Sequence, residues 1–228
     1  MLDPTVNALP ATIGGKALQT LPVVHAVTSD EIVTRADFLD VACAVMSALG
    51  PRGALHLRAG RATGARLQAL ATSLEAAQAV TGAWLVVNDR LDLAIACRAR
   101  GAQLTSRSLR VADARRAAPT LAVGASVHSL AEAQAAEEEG ASWLVAGHVF
   151  ATTTHPGEEG RGLPFVRAIA AAVHVPIVAI GGVKPEHCAV LRQAGAYGLA
   201  VIRGIWDAAN AERAASDYLS AYDDAAGA

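Results

Sequence analysis

The chain has 228 residues, of which 53% are hydrophobic, 18% charged and only 4% aromatic, and its formal net charge is −2 at pH 7. This length and apolar content predict a folded protein with a large aliphatic core, as buried parallel strands provide. The near-neutral charge argues against a nucleic-acid-binding protein, whose usual mark is a basic stripe. No apolar run approaches the roughly 18 to 20 residues that span a bilayer, so no membrane segment is predicted.

The first twenty residues contain two prolines and two glycines, but no basic start followed by an apolar block. We therefore expect residues 1–20 to be a loosely ordered extension rather than a signal peptide, and residues 21–228 to form one domain. The three cysteines are scattered and form no CxxC pair. This usage indicates reduced thiols and a cytoplasmic protein.

Strand-like and helix-like segments then alternate along the whole chain. Strands are predicted near residues 22–27, 53–58, 84–87, 102–104, 120–124, 142–146, 176–180 and 197–202. Helices are predicted near residues 34–49, 63–80, 89–99, 109–117, 129–139, 164–173, 185–194 and 208–222. Eight strict β–α units predict an α/β fold, a single (β/α)8 TIM barrel, with an open doubly wound sheet as the alternative architecture.

Local signals mark several element boundaries. The dipeptide Gly-Ala recurs before apolar runs, and its glycines are predicted to end helices in the left-handed conformation: Gly53, Gly82, Gly101, Gly140 and Gly195. Ser129 and Glu132 have the spacing of a capping box, and Pro185 fits the first turn of a helix.

In such a barrel the functional groups lie where strands end. The stretch "GASVHSL" places His128 just after the fifth strand, where imidazole can take and return a proton near neutral pH. Ser126 and Ser129 are positioned to orient it. The alternative is a turn histidine bonded to backbone, and spacing alone does not decide between them.

Two earlier strand ends also carry polar residues. Arg58 follows the second strand and suits a carboxylate or a phosphate, unless it forms a rim salt bridge. Asn88 and Asp89 follow the third strand. Asn88 is a candidate for ligand binding, and Asp89 either binds a metal or, as we expect, caps the next helix.

The last two strands end in glycine-rich loops that predict a phosphate site. Gly181, Gly182 and Gly204 allow backbone N–H groups to approach an anion, and Arg203 can add a charged contact. The alternative is two tight turns with a solvent-facing arginine. Residues 147–162 form a long polar loop suited to a lid. Its His148 and His155 lack neighbouring ligands at metal-binding spacing, so no metal site is predicted.

Several of these motifs together resemble the superfamily of thiamine phosphate synthase and its TenI-type relatives, from about residue 22 to residue 207. The motifs are HAVTSD, HLRAG, VNDRLDLA, GASVHSLAEA, GHVFATTTHPG, PIVAIGGV and GLAVIRGI. The resemblance implies a (β/α)8 barrel acting in thiamine biosynthesis.

Departures from the synthase pattern decide between branches. Ala59 and Gly60 follow Arg58 where synthases have Glu-Lys, Ser108 stands where an aspartate helps to hold Mg²⁺, and His155 ends the threonine-rich loop in place of lysine. The stretches SVHSL, GHVF and EGRG, and the histidine before AVTSD, are similar to the TenI branch. That resemblance implies a thiazole tautomerase, with His128 as its acid and base.

We therefore expect an isomerase that aromatises a carboxythiazole ethyl phosphate without a metal or cofactor. The glycine loops would hold the phosphate, and Arg58 would meet the carboxylate. We also expect a homo-oligomer whose partner is this small molecule, with no nucleic acid or membrane. Two alternatives stay open: a divergent thiamine phosphate synthase, and a non-catalytic thiazole-phosphate binding or regulatory protein.

Overall fold

The computed structural model describes residues 12–13, 16–17, 20–153 and 157–225. Eight parallel strands of this part close into a barrel in chain order, with the last strand paired to the first. The strands are β1 Val24–Val27, β2 Gly53–Leu57, β3 Trp84–Asn88, β4 Gly101–Leu104, β5 Ala122–Val127, β6 Trp143–Gly147, β7 Ile177–Ile180 and β8 Gly198–Val201. The predicted (β/α)8 barrel is confirmed.

Helices follow the strands on the outside of the barrel. They are α1 Phe38–Leu49, α2 Gly64–Thr81, α3 Leu91–Ala96, α4 Val111–Ala117, α5 Leu130–Glu138, α6 Gly162–Ala170, α7 Cys188–Gln193, α8 Arg203–Trp206 and α9 Ala211–Asp224. Short 3-10 helices precede α1 and α7 at Ile32–Thr34 and Pro185–His187. None of the described helices has both the length and the apolar character that a membrane crossing requires.

Of the predicted N-terminal extension, the structure describes two short strands and residue 20. Thr12–Ile13 pairs antiparallel with Lys16–Ala17. The predicted loose order of the rest of residues 1–20 lies outside the described residues.

The core has two parts, because each strand is buried on both faces. One face packs against the helices through residues such as Leu55, Leu85 and Leu144. The other face fills the barrel interior, where Trp143 is surrounded by smaller side chains, including Ala54 and Ala200. Three buried polar side chains, those of His25, His56 and Gln103, also lie in the barrel interior.

Three of the five Gly-Ala junctions have the predicted left-handed glycine. Gly82, Gly140 and Gly195 have φ angles of +78°, +89° and +95°. The prediction is wrong for Gly53 and Gly101, which begin strands β2 and β4 without a positive φ.

Gly53 and Gly101 are instead places of close packing. A Cβ atom on Gly53 would lie 2.2 Å from Leu49 Cβ, and one on Gly101 would lie 2.9 Å from Trp143 Cη2. Helix α1 ends at Leu49 and is followed by its cap residue Gly50, whose φ is +53°.

Several predicted helices have different bounds, and two of them differ in composition as well as in length. The segment predicted at 34–49 is a 3-10 turn followed by α1, which begins at Phe38. The segment predicted at 208–222 is α9, and the short helix α8 before it was missed. A single helical turn contains no repeat of the apolar period from which a helix is recognised.

Candidate active site

A cavity of about 650 Å³ opens at the carboxyl ends of the barrel strands. All eight residues that the sequence proposes for catalysis or binding line it: Arg58, Asn88, Ser126, His128, Gly181, Gly182, Arg203 and Gly204. They come from five different strand ends, so the closed barrel alone brings them together. This convergence makes the cavity the candidate active site.

His128 follows β5 directly, and its side chain is 51% exposed at the cavity wall. Its partner is Glu132, one helical turn further on. Oε2 of Glu132 accepts a hydrogen bond from the His128 backbone N–H at 2.8 Å and lies 3.2 Å from the ring atom Nδ1. The histidine is therefore held by a carboxylate at both its backbone and its ring.

The serines predicted to orient His128 do not contact its ring. Ser126 Oγ accepts from Gln103, and Ser129 Oγ accepts from the backbone N–H of Glu132 at the start of α5. The predicted capping box is therefore only half formed. The Glu132 side chain bonds the N–H of His128 instead of the N–H of Ser129, because it is shared with the imidazole.

The contacts with His128 also set the charge of Glu132. Partial burial opposes ionisation, but the hydrogen bonds from the His128 N–H and ring outweigh it, so the pKa of Glu132 is lowered. An ionised carboxylate only accepts, so the Nδ1 atom of a neutral His128 carries the proton. Nε2 is then the unprotonated nitrogen, free to act as a base.

The cavity wall is strongly cationic. Its charged lining side chains among the described residues are Arg58, Arg107, Arg161, Lys184 and Arg203, against the single carboxylate of Glu158. Sequence reasoning identified only Arg58 and Arg203. A wall of this charge favours a ligand with more than one negative group.

The loop after β7 contributes backbone donors. Gly181 and Gly182 have φ angles of +101° and +62°. A Cβ on Gly181 would lie 2.3 Å from His148 Cβ, and one on Gly182 would lie 2.4 Å from the Ala151 carbonyl oxygen. Both glycines therefore also allow the loop after β6 to pack against this loop. The described residues provide no acceptor for their N–H groups.

The loop after β8 is the start of α8. Gly204 lies against α9, since a Cβ there would lie 2.2 Å from the Tyr218 hydroxyl. Arg203 is exposed, and its guanidinium donates a hydrogen bond to Thr153 Oγ1 of the long loop. The arginine thus ties the β8 end to the predicted lid.

Arg58 is placed by its own backbone. Its N–H donates to Thr28 Oγ1 and its carbonyl accepts from the same hydroxyl, both at 2.9 Å. The alternative of a rim salt bridge is not what the structure shows, since Arg58 forms no ion pair with a described carboxylate. Its charge is available to the cavity.

Buried polar side chains of His56, Asn88 and Gln103 form the floor of the cavity, and His25 lies behind His56. Of these residues, only Asn88 is a binding candidate from the sequence. His25 Nε2 lies 2.9 Å from the Pro22 carbonyl oxygen, and His25 Nδ1 lies 2.8 Å from His56 Nε2. Burial lowers the pKa of His25 to about 4, and burial together with His25 lowers the pKa of His56 well below its usual value. Both rings are therefore neutral, and Nε2–H of each donates along the chain. Asn88 Oδ1, buried at the same floor, makes no hydrogen bond of ordinary geometry with the described residues.

The residues do not fit a magnesium–pyrophosphate site. The prediction that Asp89 caps α3 is wrong, because α3 has no side-chain cap. Its Oδ1 atom accepts hydrogen bonds from the hydroxyls of Thr105, at 2.6 Å, and Ser108. Ser108, at the position where the resemblance implies a second metal ligand, is thus a hydroxyl donor to Asp89. No group of three or more potential His, Cys, Asp or Glu ligands occurs in the described part of the chain.

The long loop between β6 and α6 covers one side of the cavity. His148, Ala151, Thr152, Thr153, Glu158 and Arg161 of this loop line it. His148 lies at the end of β6, whereas His155 is outside the described residues. The position agrees with the predicted lid, and whether the loop moves stays a prediction.

These features define an α/β barrel with a cationic cavity at the carboxyl ends of its strands. Residues 24–205 match the family model described as TMP-TENI: Thiamine monophosphate synthase. The chain belongs to this family.

Individual proteins support that assignment. The chain is 38% identical over 181 residues to a thiamine-phosphate synthase of Methanoculleus marisnigri, covering 77% of this chain and 86% of that protein. It is 40% identical over 131 residues to one of Pyrococcus abyssi, and there it spans 63% of the relative's length. A solved thiamine phosphate pyrophosphorylase from Pyrococcus furiosus has a TM-score of 0.78 and 29% identity, covering 91% of this chain and 98% of that one.

Proposed function

We propose that this protein is a thiazole tautomerase of thiamine biosynthesis. Its substrate would be the non-aromatic carboxythiazole ethyl phosphate and its product the aromatic tautomer. The observation that carries the proposal is the pairing of one oriented imidazole, His128, with a cationic cavity, in a described structure that contains no cluster of three or more His, Cys, Asp or Glu ligands.

The substrate's two anionic ends match the charges of the cavity. The ethyl phosphate would lie at the loops after β7 and β8, where the two glycines, Lys184 and Arg203 line the cavity. The carboxylate would lie towards β2 and β5, near Arg58 and Ser126. Charge-assisted hydrogen bonds of this kind fix orientation as well as affinity.

A single proton carrier is sufficient for the chemistry. His128 Nε2 takes the proton from the ring carbon that bears the carboxylate, and the electron pair of that C–H bond is delocalised over the ring. The imidazolium then returns the proton to the exocyclic carbon, which completes the aromatic ring. No group is oxidised or reduced, and ionised Glu132 stabilises the transient imidazolium.

A second candidate is thiamine-phosphate synthase, favoured by the names of the relatives. That reaction requires Mg²⁺ and displacement of pyrophosphate. Two lysines of the synthase pattern are replaced in this chain by Gly60 and His155, and Asp89 is hydrogen-bonded to two hydroxyl groups. Both differences argue against the synthase reaction. The third candidate is a non-catalytic protein that binds a thiazole phosphate in the same cavity without transferring a proton.

One experiment separates the three. The purified protein is incubated with the non-aromatic substrate in the presence of a chelator, and aromatic thiazole absorbance is followed. A parallel reaction contains Mg²⁺, the pyrimidine pyrophosphate and thiazole phosphate. We expect metal-independent aromatisation. Thiamine phosphate formation without aromatisation would establish the synthase, and tight product binding with neither activity would establish a binding protein. The homo-oligomeric state and cytoplasmic location stay predictions.

A further inference from the structure

A second hydrogen-bond chain runs beneath the cavity and ends at Ser126. The indole N–H of Trp143 donates to Gln103 Oε1 at 2.9 Å, and Gln103 Nε2 donates to Ser126 Oγ at 3.0 Å. Trp143 is fully buried and Gln103 is 2% exposed, whereas Ser126 is half-buried at the cavity. These hydrogen bonds thus connect the barrel interior to the cavity.

The direction of this chain is determined by its first member. An indole N–H only donates, so Gln103 must turn its oxygen towards Trp143 and its NH2 group towards Ser126. The reverse orientation would leave the buried indole N–H facing a second donor, which is costly in the interior. Ser126 Oγ is therefore an acceptor within the protein. Its own hydrogen has no acceptor among the described residues, and it is left to donate into the cavity.

The strands make room for this arrangement. A Cβ atom on Gly124 would lie 2.1 Å from Trp143 Cε2 and 2.4 Å from Gln103 Oε1. Gly101 on the neighbouring strand faces the same indole. Two positions without a side chain thus surround the Trp143–Gln103 pair, and neither is required by a positive φ.

We propose that Gln103 is a positioning residue that fixes Ser126 as a hydrogen-bond donor to the carboxylate of the ligand. The inference rests on the proposed function. Ser126 lies on β5 and His128 follows two residues later, so their side chains point to the same side of the strand. A carboxylate bonded to Ser126 would therefore hold its own ring carbon beside the proton carrier.

The same contact would act during the reaction. As the ring carbon loses its proton, negative charge spreads onto the attached carboxylate, and a fixed donor stabilises that charge without having to reorient. A serine hydroxyl that could rotate freely, or turn its lone pairs to the ligand, would do so less well. Gln103 therefore contributes to catalysis through Ser126 and without touching the substrate.

The test compares two ligands that differ only in the carboxylate: the aromatic carboxythiazole phosphate and the same thiazole phosphate without it. Their affinities are measured by calorimetry for the whole protein and for the variants S126A, Q103M and W143F. Ser142→Ala is the matched control, because Ser142 Oγ bonds the Val123 N–H at the other end of the barrel. Thermal melts establish that each variant is folded.

We expect S126A to bind the carboxylated ligand about tenfold more weakly or worse, as for a lost bond to a charged group. Q103M and W143F should lose affinity in the same direction, about three- to tenfold, because they release the serine hydroxyl. Affinity for the ligand without the carboxylate should change less than about twofold in every variant, and S142A should match the wild type with both ligands.

Three results would overturn the inference. Unchanged affinities in Q103M and W143F would show that Ser126 needs no positioning. Equal losses for both ligands would indicate a general packing defect, and the proposed tautomerase would stand without this relay. A wild-type protein that binds neither ligand would contradict the proposed function itself, and with it this inference.

Discussion

The carboxylate of Glu132 holds His128 twice, at 2.8 Å from its backbone N–H and at 3.2 Å from its ring Nδ1. The sequence pattern assigns this glutamate to a capping box. In the structure it orients the candidate proton carrier at the start of α5. The relationship gives Glu132 a role that can be measured.

Replacing Glu132 should lower activity without abolishing it. In E132Q the amide oxygen can still accept from Nδ1–H, but the charge that stabilises the imidazolium is lost. Because the pair is half exposed, we expect kcat to fall only about two- to fivefold. E132A loses the hydrogen bond as well and should be slower than E132Q. Steady-state rates of aromatisation check both variants, and equal loss in the two would show that orientation contributes nothing.

The buried histidine pair should make stability depend on pH. The pKa values of His25 and His56 are lowered in the folded protein, whereas an unfolded histidine titrates near pH 6.5. Below about pH 6.5 the unfolded chain binds more protons, so the free energy of unfolding falls by up to about 1.4 kcal/mol per pH unit for each histidine. Above about pH 6.5 both histidines are neutral in the folded and the unfolded state, so they no longer make the free energy of unfolding depend on pH.

Urea denaturation of the wild type and of H25Q between pH 5 and about pH 8 measures this slope. H25Q removes one titrating group and should have a shallower slope on the acid side. H174Q is the control, since the His174 side chain is 90% exposed. A slope in H25Q that matches the wild type would mean that His25 is not buried in the neutral form.

Asp89 should contribute to stability rather than to metal dependence. D89N removes the charge that accepts from Thr105 and Ser108, so we expect a loss of about 1 to 3 kcal/mol in the free energy of unfolding. Aromatisation by D89N should remain independent of Mg²⁺. D92N is the matched control, because Asp92 pairs with Arg90 at the surface, and it should change stability by less than about 0.5 kcal/mol. Activity that requires Mg²⁺ in the wild type and disappears in D89N would favour the synthase.

Gly124→Ala should be strongly destabilising for reasons of space alone. The added methyl group would overlap Trp143 and Gln103, and overpacking of this kind costs about 1 to 3 kcal/mol or more. Gly60→Ala, where nothing lies within 4 Å of the new Cβ, should leave the denaturation midpoint almost unchanged. Similar midpoints in the two variants would contradict the packing described around Trp143.

The barrel could be predicted from the sequence because strand and helix patterns alternate eight times. Its interior could not. Parallel strands are apolar on both faces, so alternation along β1, β2 or β4 does not show which side chains point into the barrel and which towards the helices. The sequence therefore does not predict that His25, His56 and Gln103 are buried together inside the barrel.

The candidate site could be predicted in part for a similar reason. Strand ends point to one face of any (β/α)8 barrel, so Arg58, Asn88 and His128 could be placed there from their positions alone. Hydrogen-bond partners that depend on the direction of a side chain could not be predicted. Spacing predicts that Glu132 bonds Ser129 and that Asp89 caps α3, but it does not reveal which donor a carboxylate selects.

The His128→Asn variant tests whether His128 carries the proton. The rate of aromatisation of the non-aromatic carboxythiazole phosphate and the affinity for the aromatic product are measured for wild type and variant in the presence of chelator. We expect a rate loss of about 100-fold or more, as for the removal of a general acid–base group, with product affinity nearly unchanged. An H128N protein that aromatises the substrate at the wild-type rate would contradict it.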